Sequence, residues 1–201
     1  MVKTLALSGF LGCLLILVQP TCAEEPAQFE KIRDISPDYK FAMRVWCSSE
    51  PEDPKNIDPT LITAVELVSL PSKRMVMNLP QDYQGSVADL VWSSDSKWFA
   101  LCNSAGPRVS ETEVYHRSGE KFDELKTEDL RVDVKGDVRN EYIRPIRWAK
   151  PGVLVLEQQS IFRGGEIDDS NIQFTASFDE KSGKFRVISK KKLHPDVKKG
   201  D

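Results

Sequence analysis

Apolar and polar positions alternate in short stretches along this chain, and no long helical period appears. Ile172, Phe174, Ala176 and Phe178 are separated by Gln173, Thr175 and Ser177, the period of a strand with one buried face. Apolar runs at 41–46, 98–101 and 153–156 each follow a tight polar turn, and each predicts a strand. Ser118-Gly119 and Ser182-Gly183 supply the residue type that tolerates positive φ between paired strands, and Pro71-Ser72 takes that place earlier in the chain. Thr127 ahead of Glu128 and Asp129 predicts the cap of one short helix. The rest reads as mainly β.

The pattern repeats. "IRDISPDYKFAMRVWC" (32–47), "LVWSSDSKWFALC" (90–102) and "IRWAKPGVLVLEQ" (146–158) superpose with Ile35, Trp92 and Trp148 in register, at offsets of 57 and 56 residues. Each anchor precedes a turn and an apolar strand. A second half recurs as "ITAVELVSLPSKRMVMNL" (62–79), "SETEVYHRSGEKFDEL" (110–125) and "IQFTASFDEKSGKFRVI" (172–188). Each copy therefore predicts about four short strands, a spacing that fits repeat architectures. The copies are bounded at 29–79, 87–125 and 143–188. The proline- and acid-rich stretch 47–60 and the segment 162–171 predict loops.

Residues 92–100, Trp-Ser-Ser-Asp-Ser-Lys-Trp-Phe-Ala, resemble the repeat of TolB-type and WD-like β-propellers. Residues 35–42 keep the Ser-Pro-Asp turn. Ala149-Lys150-Pro151-Gly152 keeps a turn and loses the aspartate. The resemblance implies three four-stranded, propeller-like blades. A closed ring has about four to eight blades, so three copies imply an open or partial propeller, a ring completed by a second chain, or an unusually tight closure. A β-sandwich is the alternative architecture. Propellers host many unrelated roles, so the resemblance implies no activity.

The N-terminus adds an address. Lys3, an apolar run at 5–18, the Gln19-Pro20 break and Thr21-Cys22-Ala23 follow the layout of a signal peptide over 1–23. The apolar run is shorter than the roughly 20 residues a membrane helix needs. The alternatives are a retained anchor and a lipid-modified Cys13, after Phe10-Leu11-Gly12. The reading predicts an exported protein, periplasmic or extracellular, with a β domain over 24–193, a basic tail over 194–201 and no membrane span after cleavage.

Loss of Lys3 with the leader lowers the basic count from 28 to 27 against 31 acidic residues. That balance gives no case for nucleic acid, which needs a concentrated basic face. Lys190-Lys191-Lys192 and Lys198-Lys199 read as a solvated end. Cleavage also leaves only Cys47 and Cys102. An oxidising compartment makes them a candidate disulfide, and two buried thiols are the alternative, because both fall on the same kind of strand face.

No residue stands out as catalytic, cofactor-binding or metal-ligating. Trp92 and Trp148 read as core anchors between sheets, with Ile35 as their apolar equivalent. Asp38 and Asp95 read as turn-holding carboxylates, with Lys40 and Lys97 opening the following strands. His116 and His194 lack a convergent partner set. Asp168-Asp169-Ser170-Asn171 has oxygen ligands without calcium-loop spacing. Arg139, Arg144, Arg147 and Arg163 form an anion patch only if the fold gathers them. The expectation is a non-catalytic binding or scaffold protein for a protein or carbohydrate partner, with 47–60 and 162–171 as recognition loops. Deleting 50–58 is then expected to spare folding. An accessory subunit of an envelope assembly and a polymer-acting hydrolase or lyase are the alternatives.

Overall fold

The computed structural model describes residues 28–54, 56–164 and 170–193. The leader, the C-terminal tail, His194, Asp168 and Asp169 lie outside the described residues. Twelve strands and one short 3-10 turn, Pro59–Leu61, make up the described regular structure. The chain is mainly β. The helix expected after Thr127 does not form: Leu130 N–H donates to Thr127 O at 2.8 Å and closes a turn instead.

β1 (Phe29–Arg33), β2 (Phe41–Cys47), β3 (Ile62–Ser69) and β4 (Arg74–Asn78) form one antiparallel sheet in chain order. β5 (Val91–Trp92), β6 (Trp98–Gly106), β7 (Val109–Ser118) and β8 (Lys121–Glu124) form a second antiparallel meander. β9 (Val138–Lys150), β10 (Val153–Phe162), β11 (Ser170–Asp179) and β12 (Lys184–Leu193) form a third. Two parallel pairs, Val109 with Glu141 and Ser110 with Tyr142, join the second and third meanders into one eight-stranded sheet. The sheets are not closed on themselves. The third meander begins at 138 and runs to 193, beyond the expected 143–188 on both sides.

Strand alternation builds two cores. Phe41, Met43, Val45 and Cys47 of β2 meet Phe99 and Leu101 of β6 and Tyr115 of β7. The opposite faces of β6 and β7 carry Trp98, Ala100 and Val114, which meet Leu154, Leu156, Phe174, Ala176 and Phe185. The middle meander is thus buried on both faces, which is why 98–101 reads as an unbroken apolar run rather than an alternation. Gln158 sits in the same strand phase as Leu154 and Leu156 and is fully buried. It is satisfied: its Oε1 accepts from Val132 N at 2.7 Å, and its Nε2 donates to Val132 O at 2.8 Å and Glu141 Oε1 at 3.0 Å. Buried polar groups demand such partners, and this one straps the linker 130–132 to the third meander.

The two serine–aspartate turns are built alike. Ser36 Oγ donates to Asp38 Oδ1 at 2.7 Å and accepts from Phe41 N at 3.0 Å; Ser93 Oγ donates to Asp95 Oδ1 at 2.6 Å and accepts from Trp98 N at 3.0 Å. Lys40 N and Lys97 N donate to the two carboxylates at 3.2 and 3.1 Å. Tyr39 and Ser96 occupy the matching positive-φ position, at 58° and 57°. The third turn is a shorter Pro151-Gly152 bend with Gly152 at φ 72°. It keeps one bond common to all three copies: Leu70 N donates to Lys40 O, Arg117 N to Lys97 O and Phe178 N to Gly152 O, at 2.7–2.8 Å.

The tryptophans link one copy to the next. Trp92 Nε1 donates to Asp34 O at 2.8 Å, and Trp148 Nε1 donates to Val91 O at 2.9 Å. In both cases the acceptor is the residue just before the preceding copy's anchor. Ile35 departs from its expected core position. It is 47% exposed, and among the described residues no earlier meander packs on it.

Candidate functional site

A cleft of about 640 Å³ lies where the first strands of the three meanders approach one another. Arg33 comes from β1, Val91 from β5, Cys102 from β6, and Arg144, Pro145 and Ile146 from β9. Asn56, Ile57, Pro59 and Ile62 close one side, and the irregular segment 86–89 closes another. Clefts of roughly 300–1,000 Å³ with apolar walls and a few polar groups suit ligand capture.

Local sequence explains each wall. Asp58 Oδ1 accepts from Thr60 N at 2.9 Å and from Thr60 Oγ1 at 2.8 Å, fixing the 3-10 turn that carries Pro59. Ile57 is only 8% exposed and belongs to the first core. This corrects the expectation that 50–58 is a dispensable loop: deleting it removes a core side chain. Asp34 reaches across to the other wall, where its Oδ2 accepts from Leu90 N at 2.9 Å. Burial raises the Asp34 carboxyl above the usual carboxylate range, against the pull of that backbone bond and of Arg33.

The charged groups of the cleft are two arginines and their partners. Arg33 pairs with Asp89, itself 75% exposed, and approaches Asp34 at 3.6 Å. Arg144 pairs with Glu157 at 3.0 Å, with its side chain 62% exposed. Each pair joins one exposed side chain to one that is mostly covered, Arg33 in the first and Glu157 in the second, so solvent screens part of each attraction.

Cys102 carries no base. Its sulfur donates to Ile143 O at 3.8 Å, and burial pushes the thiol above its ordinary range, holding it protonated at neutral pH. A protonated thiol is a poor nucleophile. The candidate Cys47–Cys102 disulfide is corrected: both are free thiols. Cys47 faces the first core, whereas Cys102 shares the opposite strand phase with Trp98 and Ala100, so the middle sheet stands between them.

The chain matches no protein family, no curated protein and no solved structure.

The remaining sequence candidates lie elsewhere. His116 packs on Trp98 with ring centroids 4.0 Å apart, beside Lys150, Gly152 and Glu180 at the turn end of the second and third meanders. Its imidazole is held below the ordinary histidine range, chiefly by burial. Asp38 is held below the usual carboxylate range: hydrogen bonds from Ser36, Lys40 and Ser96 and the nearby Arg117 guanidinium outweigh burial. The four arginines do not gather into one patch. Arg144 is paired with Glu157 and Arg163 with Asp137, while Arg139 donates to Asn140 Oδ1 at 3.1 Å. Among the described residues, no group of three or more His, Cys, Asp or Glu is placed to hold a metal ion, and no helix is long and apolar enough to cross a membrane.

Arg33, Asp89 and Ile146 were not singled out by sequence reasoning. One signal was present. Offsetting 29–33 by the repeat distance of 57 falls on 86–90, which marks both as the opening segments of their copies.

Proposed function

We propose that this chain is an exported, non-catalytic binding protein whose three propeller-like units form an open stack, and that it captures a protein partner in the cleft between their first strands. The observation that carries the reading is the convergence of β1, β5 and β9 residues on one cleft of about 640 Å³. The propeller-like order draws support from the tryptophan bonds, which step from each unit to the one before it in the same way. The cleft combines aliphatic side chains with two arginines and with Cys102, a protonated thiol that lacks a neighbouring base. That chemistry serves recognition better than bond cleavage. Export rests on the leader-like N-terminal sequence.

The test compares capture by two variants of the full chain from the native envelope fraction. Ile146→Arg places a long cation in the cleft at a position that is already 38% exposed, so the fold tolerates it. Ile188→Arg alters β12, outside the cleft, at a position 60% exposed. The expected result is at least a fivefold loss of the captured partner for Ile146→Arg and none for Ile188→Arg. Equal capture by both variants contradicts the assignment.

A further inference from the structure

The second meander differs from the other two in its opening strand. β1 pairs with β2 over five residues, and β9 pairs with β10 along most of its length. β5 pairs with β6 only at Val91–Ala100 and Trp92–Phe99. Continuing that register would set Leu90 against Leu101, Asp89 against Cys102 and Ala88 against Asn103. These pairs do not form. Tyr83 N donates to Ser104 O at 2.9 Å and takes an acceptor on the β6 edge, while Leu90 N turns to Asp34. Residues 86–89 peel away, and the cleft occupies the opening, with Cys102 on its lining.

Ser86 is held through its main chain, its N–H donating to Asp82 Oδ1 and its carbonyl accepting from Asp82 N. Val87 and Ala88 pack against the first core. Among the described residues, Val87, Ala88 and Asp89 make no main-chain hydrogen bond. Main-chain groups of this kind are satisfied by water or by a partner. They line a cleft that also holds Arg33 and Arg144, from the first and third meanders, each paired to a carboxylate.

We infer that the cleft binds an extended, acidic polypeptide segment as an added strand. Its main chain pairs with residues 87–89, and its carboxylates replace Asp89 and Glu157 on Arg33 and Arg144. Strand addition draws affinity from main-chain hydrogen bonds and specificity from alternate side chains. The aliphatic groups Ile57, Ile62 and Ile146 face the alternate, apolar positions. This rests on the proposed binding role and names the occupant's chemistry.

The experiment is amide hydrogen exchange on the full chain, with and without acetyl-Val-Glu-Val-Glu-Val-amide. A second peptide carries N-methyl groups on alternate amides, and a third replaces each glutamate with lysine. In the free chain, the amides of Val87, Ala88 and Asp89 should exchange close to the unprotected rate. The glutamate peptide should slow them at least tenfold and the N-methylated peptide should not. The lysine peptide should bind at least tenfold more weakly, and Arg144→Gln should weaken the glutamate peptide about fivefold. Protection already present in the free chain, no slowing by any peptide, or equal slowing by the N-methylated peptide overturns strand addition. Equal binding of the lysine peptide overturns the acidic occupant. If exchange at 87–89 does not respond while Ile146→Arg still abolishes capture, the binding role survives and strand addition falls. If Ile146→Arg captures normally, both fall.

Discussion

The middle meander and the two outer ones share a plan and differ at a few positions. With Lys40, Lys97 and Gly152 in register, Arg44 corresponds to Leu101 and Leu156, and Glu157 corresponds to Val45 and Cys102. Leu101 and Leu156 are buried between sheets. Arg44 instead lies on the free face of the first sheet, where its Nε donates to Glu66 Oε2 at 2.7 Å and its guanidinium packs over Trp46. Glu157 lies on the free face of the third, paired with Arg144. Among the described residues, a charge thus stands at the matching position where no other meander packs.

The sharpest way to break the comparison is to exchange the two kinds of position. Leu101→Arg buries an unpaired charge in the first core and should cost about 4 kcal/mol or more in chemical denaturation. A cost comparable to a surface substitution would mean that the middle sheet is not covered on both faces.

Trp148→Phe removes the inter-copy bond to Val91 O. A loss of about 2–3 kcal/mol is expected from the hydrogen bond and the lost ring volume together. Trp92→Phe should cost a similar amount if the two bonds are equivalent.

Ser36→Ala and Ser93→Ala test the turns. Each leaves a buried main-chain N–H, that of Phe41 or Trp98, without its acceptor, and each should cost about 1–2 kcal/mol. Values differing by more than about 1 kcal/mol, itself of the order of one hydrogen bond, would show that similar geometry hides different roles.

The smallest effect is a pH dependence. Burial lowers the His116 pKa, against Asp95, Asp123 and Glu180, which pull it up, and with Lys97, which pushes it down. The unfolded chain therefore binds the proton more readily than the folded one. The stabilisation is complete above the ordinary histidine range and falls as pH drops through about 6.5. Denaturation midpoints at pH 7.5 and 5.5 should differ less in His116→Gln than in the parent chain. An unchanged difference would show that other groups carry the dependence.

Much of this fold was legible in the sequence because repetition makes local signals confirm one another. The Ser-x-Asp turns and the strands after them recur at fixed offsets, and their hydrogen bonds involve residues within five positions. What escaped depends on distant competition. The short pairing of β5 follows from Tyr83 taking Ser104 O and Asp34 taking Leu90 N, and neither choice is written in residues 86–90. The buried Gln158 reads as polar, and its strand phase alone hints that it lies inside. Ile35 reads as core, and its exposure is set by what packs beside the first meander rather than by its own sequence.

The central claim is that three copies of one unit stack in chain order, each tied by its tryptophan to the one before. Nuclear Overhauser contacts from the four indole N–H protons test it most directly. The account predicts contacts from the Trp92 indole N–H to residues 34 and 35, and from the Trp148 indole N–H to residues 91 and 92. Absence of either set, or contacts from Trp148 to the first copy, would contradict it.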